Sequence, residues 1–414
     1  MKQITPSVLS GSIKVIPSKS ISHRALICAA LAPGISSLKN IAFSDDIKAT
    51  AQALCDMGFC EYDVVDNICV VSGGLHKECK EVIDCGESGS TLRFLLPLAL
   101  DGKKHCFTGH GRLLRRPMDG YDKIFVRNHV LFEKNEQRIE ICGELSGGEY
   151  ALPGDVSSQF VSGLLFKLPT LFDDSGIHIT TEPESRPYID ITQDVQSNFK
   201  IRSRWVGNSI EISGRQGYVP NDMEIEGDYS HAAFFAAAAA ITGKITIRGL
   251  KQDSKQGDKA IMGILKCMGA EISENEDEVT IEKAMLKPIE IDVSQIPDLV
   301  PVLAVLGCAI EGKTRIYNAG RLRYKESDRL HAITTELEKL GADIIEYQDS
   351  LVINGSGKLS GGEVDSHNDH RIAMALTVAS CIARDDIILG GAGSVSKSAP
   401  DFFEEWKIVG GKVR

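Results

Sequence analysis

The chain has 414 residues, 43% of them hydrophobic, which is too long for one ordinary core and suits two domains of roughly 200 residues each. A net charge of -11 excludes a general affinity for nucleic acid or anionic membrane, both of which need a basic face, so any anion site must be local. Eleven scattered cysteines, an odd number with no Cys-x-x-Cys pair, disfavour a disulfide framework and a structural zinc site and fit a reducing cytoplasm. Residues 1–10 lack a cationic stretch followed by an apolar run, and apolar stretches such as 232–241 are too short to span a bilayer, so neither an export signal nor a membrane anchor is expected.

In chain order, residues 24–38, 91–107, 159–171, 231–247, 299–316 and 371–389 each read as a helix of small and apolar residues, a short turn and a strand. Ser22, Ser90, Ser158, Ser230, Asp298 and Asp369 mark the six helix starts, spaced by roughly 70 residues, the size of one α/β repeat with its loops. A second echo, Leu-x-x-Met/Leu-Gly, ends at Gly58, Gly269 and Gly341 ahead of β-rich stretches, and each glycine is expected to cap a helix C-terminus. Three repeats per domain is the natural grouping, with Gly227-Asp228 opening the fourth.

Several helix starts are unusually polar and cationic. Ser18-Lys19-Ser20-Ile21-Ser22-His23-Arg24, Gly86-Glu87-Ser88-Gly89-Ser90-Thr91 and Ser157-Ser158-Gln159 combine hydroxyls, glycines and free backbone N–H groups at the positive end of a helix dipole, a ready anion site. Ser, Thr and Asp are also the ordinary N-caps of any helix, so one such start alone says little. Lys19 and Arg24 change the balance, because a cap needs no cation. More cations cluster at Arg112, Arg115 and Arg116, at Arg321, Arg323, Lys325 and Arg329 around Glu326 and Asp328, at His370-Arg371, and at Lys397. Planted beside helix starts in an acidic chain, they can balance about five to six negative charges, as two phosphates and two carboxylates carry.

Two motif matches fail on context. Gly307-Cys308-Ala309-Ile310-Glu311-Gly312-Lys313-Thr314 matches a phosphate loop, but here a helix precedes it and a strand follows, the reverse of what that loop requires. His367 and His370 lie three apart, yet no cysteine or carboxylate partners at metal-ligand spacing accompany them, and no metal is expected.

At these residues the chain resembles the 5-enolpyruvylshikimate-3-phosphate (EPSP) synthase family nearly end to end. The resemblance rests on Ser18-Lys19-Ser20 to Arg24, Gly89-Ser90 to Arg93, Arg116-Pro117, Ser157-Ser158-Gln159, Ser185-Arg186-Pro187-Tyr188, Gly227-Asp228, Pro297-Asp298, Lys325-Glu326-Ser327-Asp328-Arg329, Asn368-Asp369-His370-Arg371, and Lys397 ahead of Pro400-Asp401. It implies an α/β fold of two similar inverse α/β barrel domains, each of three repeated βαβαββ-like units. Residues 17–227 would form the N-terminal-type domain, and 1–16 with 228–414 a discontinuous C-terminal-type domain, with substrates in the interdomain cleft. It also implies transfer of the enolpyruvyl group of phosphoenolpyruvate to the 5-hydroxyl of shikimate 3-phosphate in chorismate and aromatic amino-acid biosynthesis, without cofactor or metal, by a cytoplasmic monomer with no nucleic-acid or membrane partner.

Carried over position by position, Lys19, Ser20, Arg24, Ser157, Ser158, Gln159, Ser185, Tyr188, Asp298 and Lys325 would hold shikimate 3-phosphate. Lys19, Gly89, Arg116, Gln159, Arg329, Arg371 and Lys397 would hold phosphoenolpyruvate. The weakly nucleophilic hydroxyl needs a base, for which Asp298 is suited; Glu326 and Lys19 are both candidates to protonate the methylene carbon. The chain departs from common family patterns at Glu87, Phe94 and His23, and its 318–325 stretch is longer than usual, so no ring contact is assigned there. Gly89 is where a larger side chain accompanies tolerance of glyphosate in the family, and sensitivity is expected here. The sister transferase acting on UDP-N-acetylglucosamine typically carries a cysteine on the loop ahead of its Arg-Pro pair; residues 109–116 contain none. A non-catalytic anion- or RNA-end-binding module on the same repeat is the other alternative, disfavoured by the acidic charge.

Overall fold

The computed structural model describes residues 1–414 except Asp277. The chain forms two compact units, Pro17–Ile225 and Met1–Ile16 with Glu226–Arg414.

Within Pro17–Ile225, three four-stranded sheets follow one plan. In the third, Gly148–Leu152 leads through the helix Ser158–Lys167 to the parallel strand Ser175–Ile179. The helix Arg186–Asn198 then leads to a hairpin, Ser203–Val206 with Ser209–Ile212, whose second strand returns antiparallel to Ser175–Ile179. This is βαβαββ, and it takes this form because parallel neighbours need a long crossover while antiparallel ones need only a tight turn. The second sheet repeats it with Ile83–Asp84, Asp101–Thr108, Ile139–Glu144 and Leu131–Lys134. The first sheet has Gly34–Lys39, Ile68–Gly73 and Glu61–Val65, but its leading strand, Met223–Glu224, comes from the far end of the unit.

The other unit uses the same plan. Glu290–Asp292, Gly312–Tyr317, Leu351–Gly355 and Asp343–Glu346 form one complete repeat. The segment Met1–Ile16 completes the other two: Ser10–Lys14 pairs parallel with Lys244–Arg248, and Lys2–Thr5 lies antiparallel to Ile387–Gly390 and Lys412–Val413.

Each unit buries its leading helices on nearly every side, which explains their small, apolar composition. Lys19–Leu31, Gly89–Leu98 and Ser158–Lys167 fill one core, and Tyr229–Thr242, Val300–Ala309 and His370–Ala379 the other. Burying one Leu, Ile or Phe in such a core contributes roughly 1.5–3 kcal/mol. Helices and strands approach too closely for any side chain at Gly73, where a Cβ would lie 2.0 Å from the Ala29 carbonyl oxygen, and at Gly355, where it would lie 2.1 Å from that of Gly307.

The expected fold of two similar units, each of three repeats, is present, built from six separate four-stranded sheets, none of which closes on itself among the described residues. Two expectations need adjusting. Segment 159–171 ends in a short 3-10 turn, Leu168–Thr170, and its strand starts only at Ser175. Among the leading helices, the residues that cap through their side chains are Ser88, Ser157, Asp228 and Asp369, so Ser90, Ser158 and Ser230 lie one or two positions inside, and Ser22 four beyond Ser18. The glycines Gly58, Gly269 and Gly341 do take the left-handed conformation, at φ 78°, 103° and 86°. The phosphate-loop match has the expected reversed context, the helix Val300–Ala309 before it and the strand Gly312–Tyr317 after.

Candidate active site

In Pro17–Ile225 the polar helix starts converge on two clusters. The first begins at Lys19, the first residue of its helix, whose Nζ lies 2.8 Å from Asp46 Oδ2 in the first turn of Asp45–Asp56. One turn on, Arg24 is fully buried and donates from Nε to Thr192 Oγ1 (2.7 Å), from Nη1 to the Ser20 carbonyl (2.8 Å) and from Nη2 to the Tyr188 carbonyl (2.9 Å) and Ser162 Oγ (3.3 Å), while lying over the Phe94 ring. Burial lowers the Arg24 pKa to about 10. Arg24 therefore spends its donors on the protein and ties the first helix to Arg186–Asn198, whose N-cap Ser185 is buried and takes the left-handed conformation at φ 56°. His23 is pushed well below the usual imidazole range by burial and then by Lys19 and Arg24, so it stays neutral beside the Thr50 hydroxyl.

The second cluster joins Gly89, Arg116 and Gln159. A Cβ on Gly89 would lie 2.5 Å from Arg116 Nη1 and 3.7 Å from Gln159 Oε1. Gln159 donates to Ser90 Oγ at 2.9 Å and accepts from Arg93 Nη1 at 2.8 Å, and its backbone N–H is capped by Ser157 Oγ. Arg93, held also by the Pro117 carbonyl and lying over Phe160, fixes which way the amide points. Burial, and then the charge of Arg116, bring the Arg93 pKa down to about 10. Ser158 follows Ser157 as the first residue of its helix and is buried.

In the unit holding Glu226–Arg414, Asp298 is ringed by cations. Oδ1 accepts from Arg329 Nη1 at 2.8 Å and lies 3.8 Å from Lys325 Nζ; Oδ2 accepts from Arg371 Nη2 at 2.9 Å. Arg329 turns its Nε to Asp369 Oδ2 at 2.7 Å and brings Nη2 to 3.5 Å from Glu326 Oε1. Glu326 Oε2 in turn meets His370 Nδ1 at 2.8 Å. Burial works against the Asp369 charge, but Arg329 overrides it and holds the carboxyl below the ordinary range. Burial lowers the Lys325 pKa to about 8, with Asp298 opposing and Arg329, Arg321 and Arg371 assisting. Lys397 closes the set, donating to the Asn368 carbonyl at 2.6 Å.

The expected residues of each unit thus fall into compact groups: Lys19, Ser20, Arg24 and Tyr188 in one, Gly89, Arg116 and Gln159 in another, and Asp298, Lys325, Glu326, Arg329 and Arg371 in the third. Sequence reasoning missed Asp46 and Asp258, and it counted Arg93 in a motif without giving it a role. Arg93 left a signal, a lone charge in the otherwise apolar Gly89–Leu98. Asp46 looked like any acid in a first turn. Asp258 left none: it is buried, bonded to the Ser230 hydroxyl, and raised to about 7 by burial and then by the charge of Asp298, with Arg371 opposing.

Glu326, Asp369 and His370 offer atoms within 4.8 Å of one another, a spacing a metal could use, but the Arg329 guanidinium already answers both carboxylates. All eleven cysteines are free. No helix among the described residues is long and apolar enough to cross a membrane.

Comparison with known proteins adds an independent line. The profile of the family described as EPSP synthase (3-phosphoshikimate 1-carboxyvinyltransferase) matches residues 4–406. The chain is 46% identical to the 3-phosphoshikimate 1-carboxyvinyltransferase of Clostridium kluyveri over 99% of its own length and 97% of the relative's. It is also 46% identical to the protein of that name from Clostridioides difficile, over 99% and 98%. Among solved structures, an EPSP synthase from Acinetobacter baumannii superposes with a TM-score of 0.84 at 28% identity, covering 100% of this chain and 99% of that one. The enolpyruvyl transferase NikO from Streptomyces tendae shares the fold, with a TM-score of 0.81 at 18% identity and coverage of 100% and 98%.

Proposed function

The chain belongs to the EPSP synthase family and transfers the enolpyruvyl group of phosphoenolpyruvate to shikimate 3-phosphate; from that premise we propose how its own residues divide the reaction. Both substrates carry a phosphate and a carboxylate, and each group of residues supplies cations suited to such anions. Arg116, Gln159, Arg329, Arg371 and Lys397 hold phosphoenolpyruvate. Ser20, Ser157, Ser158, Gln159, Ser185, Tyr188 and Lys325 hold shikimate 3-phosphate, with Arg24 acting through the Ser20 and Tyr188 carbonyls it anchors. Lys19 touches both substrates.

Asp298 takes the proton of the 5-hydroxyl as its oxygen bonds to C2 of phosphoenolpyruvate. A proton delivered to C3, from Lys19 or from Glu326, completes the tetrahedral intermediate. Loss of a C3 proton then expels phosphate and restores the double bond. The ring of Arg329, Arg371 and Lys325 around Asp298 is the observation that carries this reading: it sets a carboxylate beside cations that stabilise charge on the leaving phosphate. The protein works as a cytoplasmic monomer without nucleic acid, in keeping with its net charge of -11.

Phosphate release from phosphoenolpyruvate, followed with shikimate 3-phosphate and with UDP-N-acetylglucosamine as alternative acceptors, tests the reading. Turnover with shikimate 3-phosphate is expected; turnover with the nucleotide sugar alone would overturn it. Sedimentation equilibrium at micromolar protein checks the monomer.

A further inference from the structure

We propose that Cys55 and Cys60 form a redox-active dithiol site that exchanges with low-molecular-weight disulfides of the glutathione type. Their Sγ atoms lie 3.8 Å apart, in van der Waals contact, and each must move by only about 1 Å for a bond of about 2.05 Å to form. The approach is built into the backbone. Cys55 sits in the last turn of the helix Asp45–Asp56, and Gly58, at φ 78°, reverses the chain so that Cys60 faces back toward it. The reversal is pinned from within by Gly58 N–H on the Cys55 carbonyl and Phe59 N–H on that of Leu54. It is pinned from outside by Lys77 N–H on the Gly58 carbonyl and Lys80 N–H on that of Asp56. No larger residue fits at Gly58, where a Cβ would meet the Lys77 carbonyl oxygen at 2.4 Å.

Access is also present. Cys55 is partly exposed and lines an open groove with Gln52, Glu61, Tyr62, Val64 and Ser72, whereas Cys60 is buried behind it. The arrangement gives the two thiols different tasks. The Cys60 thiol bonds to the Cys55 sulfur and so favours its thiolate over burial and the nearby Asp56 and Glu61 carboxylates, while Lys77 assists; the Cys60 pKa rises correspondingly. Cys55 is the attacking thiol. It displaces one thiolate from the small disulfide to give a mixed disulfide. Cys60 then loses its proton and attacks Cys55 Sγ, expelling the second thiol: two protein thiols and one small disulfide become one protein disulfide and two small thiols.

The test uses the full chain with the exposed Cys267 changed to Ser, treated with glutathione disulfide, acid-quenched, and cleaved after Asp and Glu so that Cys55 and Cys60 fall on separate fragments. The expected result is a mass lower by two hydrogens, with the fragment ending at Asp56 linked to the fragment 57–61. Cys60→Ser should stop at one glutathione on Cys55, and Cys55→Ser should lose the cross-link completely. Unmodified Cys55 and Cys60 while other cysteines react, or a cross-link to Cys69 instead, would overturn the proposal.

Discussion

Arg371 grips Asp298 twice, from Nη2 to the side-chain Oδ2 at 2.9 Å and from Nη1 to the backbone carbonyl at 3.4 Å. Replacing Asp298 by Asn keeps one side-chain oxygen, enough for Arg371 or for Arg329 but not for both, and removes the proton acceptor. Turnover should fall by about 10²–10⁴-fold, the usual contribution of a general base, while circular dichroism stays native. Wild-type phosphate release by Asp298→Asn would remove the base assignment.

Lys19 and Glu326 are separated by their variants. Lys19→Met should cost about 10²-fold or more in kcat. Asp46→Asn, which leaves Lys19 in place but weakens the 2.8 Å contact that aims it, should cost less. If Glu326→Gln leaves kcat intact while Lys19→Met abolishes it, the methylene proton comes from Lys19. Near-normal turnover of Lys19→Met excludes that lysine.

Gly89→Ala places a methyl 2.5 Å from Arg116 Nη1, a distance no real Cβ tolerates, so the guanidinium must shift. The KM for phosphoenolpyruvate should rise about tenfold, equivalent to about 1.4 kcal/mol, with the KM for shikimate 3-phosphate little changed. Inhibition by glyphosate should weaken in parallel. Equal loss for both substrates would point to general disruption of the helix start.

Asp258 makes stability pH-dependent. Its carboxyl titrates near 3.8 in the unfolded chain and is raised to about 7 when folded. Between those values the folded state holds a proton that the unfolded state has lost, so the stability this group contributes is full below 3.8 and is lost as pH rises to about 7. Asp258→Asn, which cannot ionise, should therefore raise the melting temperature at pH 8 relative to the parent and change it less at pH 5. An equal shift at both values would show that Asp258 is ionised in the folded protein throughout.

The repeat was legible because helices buried all round admit only small and apolar residues, and runs such as 232–241 and 299–309 stand out from the amphipathic helices around them. The residues proposed to bind substrate stood out as motifs at helix starts. What hid was non-local. Nothing in residues 2–5 or 10–14 names the sheet they join, because their partners lie more than two hundred residues away. Asp258 and Asp46 acquire meaning only from what folding packs against them, Ser230 in one case and Lys19 in the other.

The strands Lys2–Thr5 and Ser10–Lys14 set an order of events on the ribosome. They are synthesised ahead of Pro17–Ile225, yet their neighbours Lys244–Arg248, Ile387–Gly390 and Lys412–Val413 come after it. Pro17–Ile225 contains every strand of its own sheets and can fold while synthesis continues. Lys2–Thr5 and Ser10–Lys14 meanwhile wait as unpaired edges until those neighbours arrive, and a chain stalled between Gly390 and Lys412 still leaves one edge of Lys2–Thr5 open.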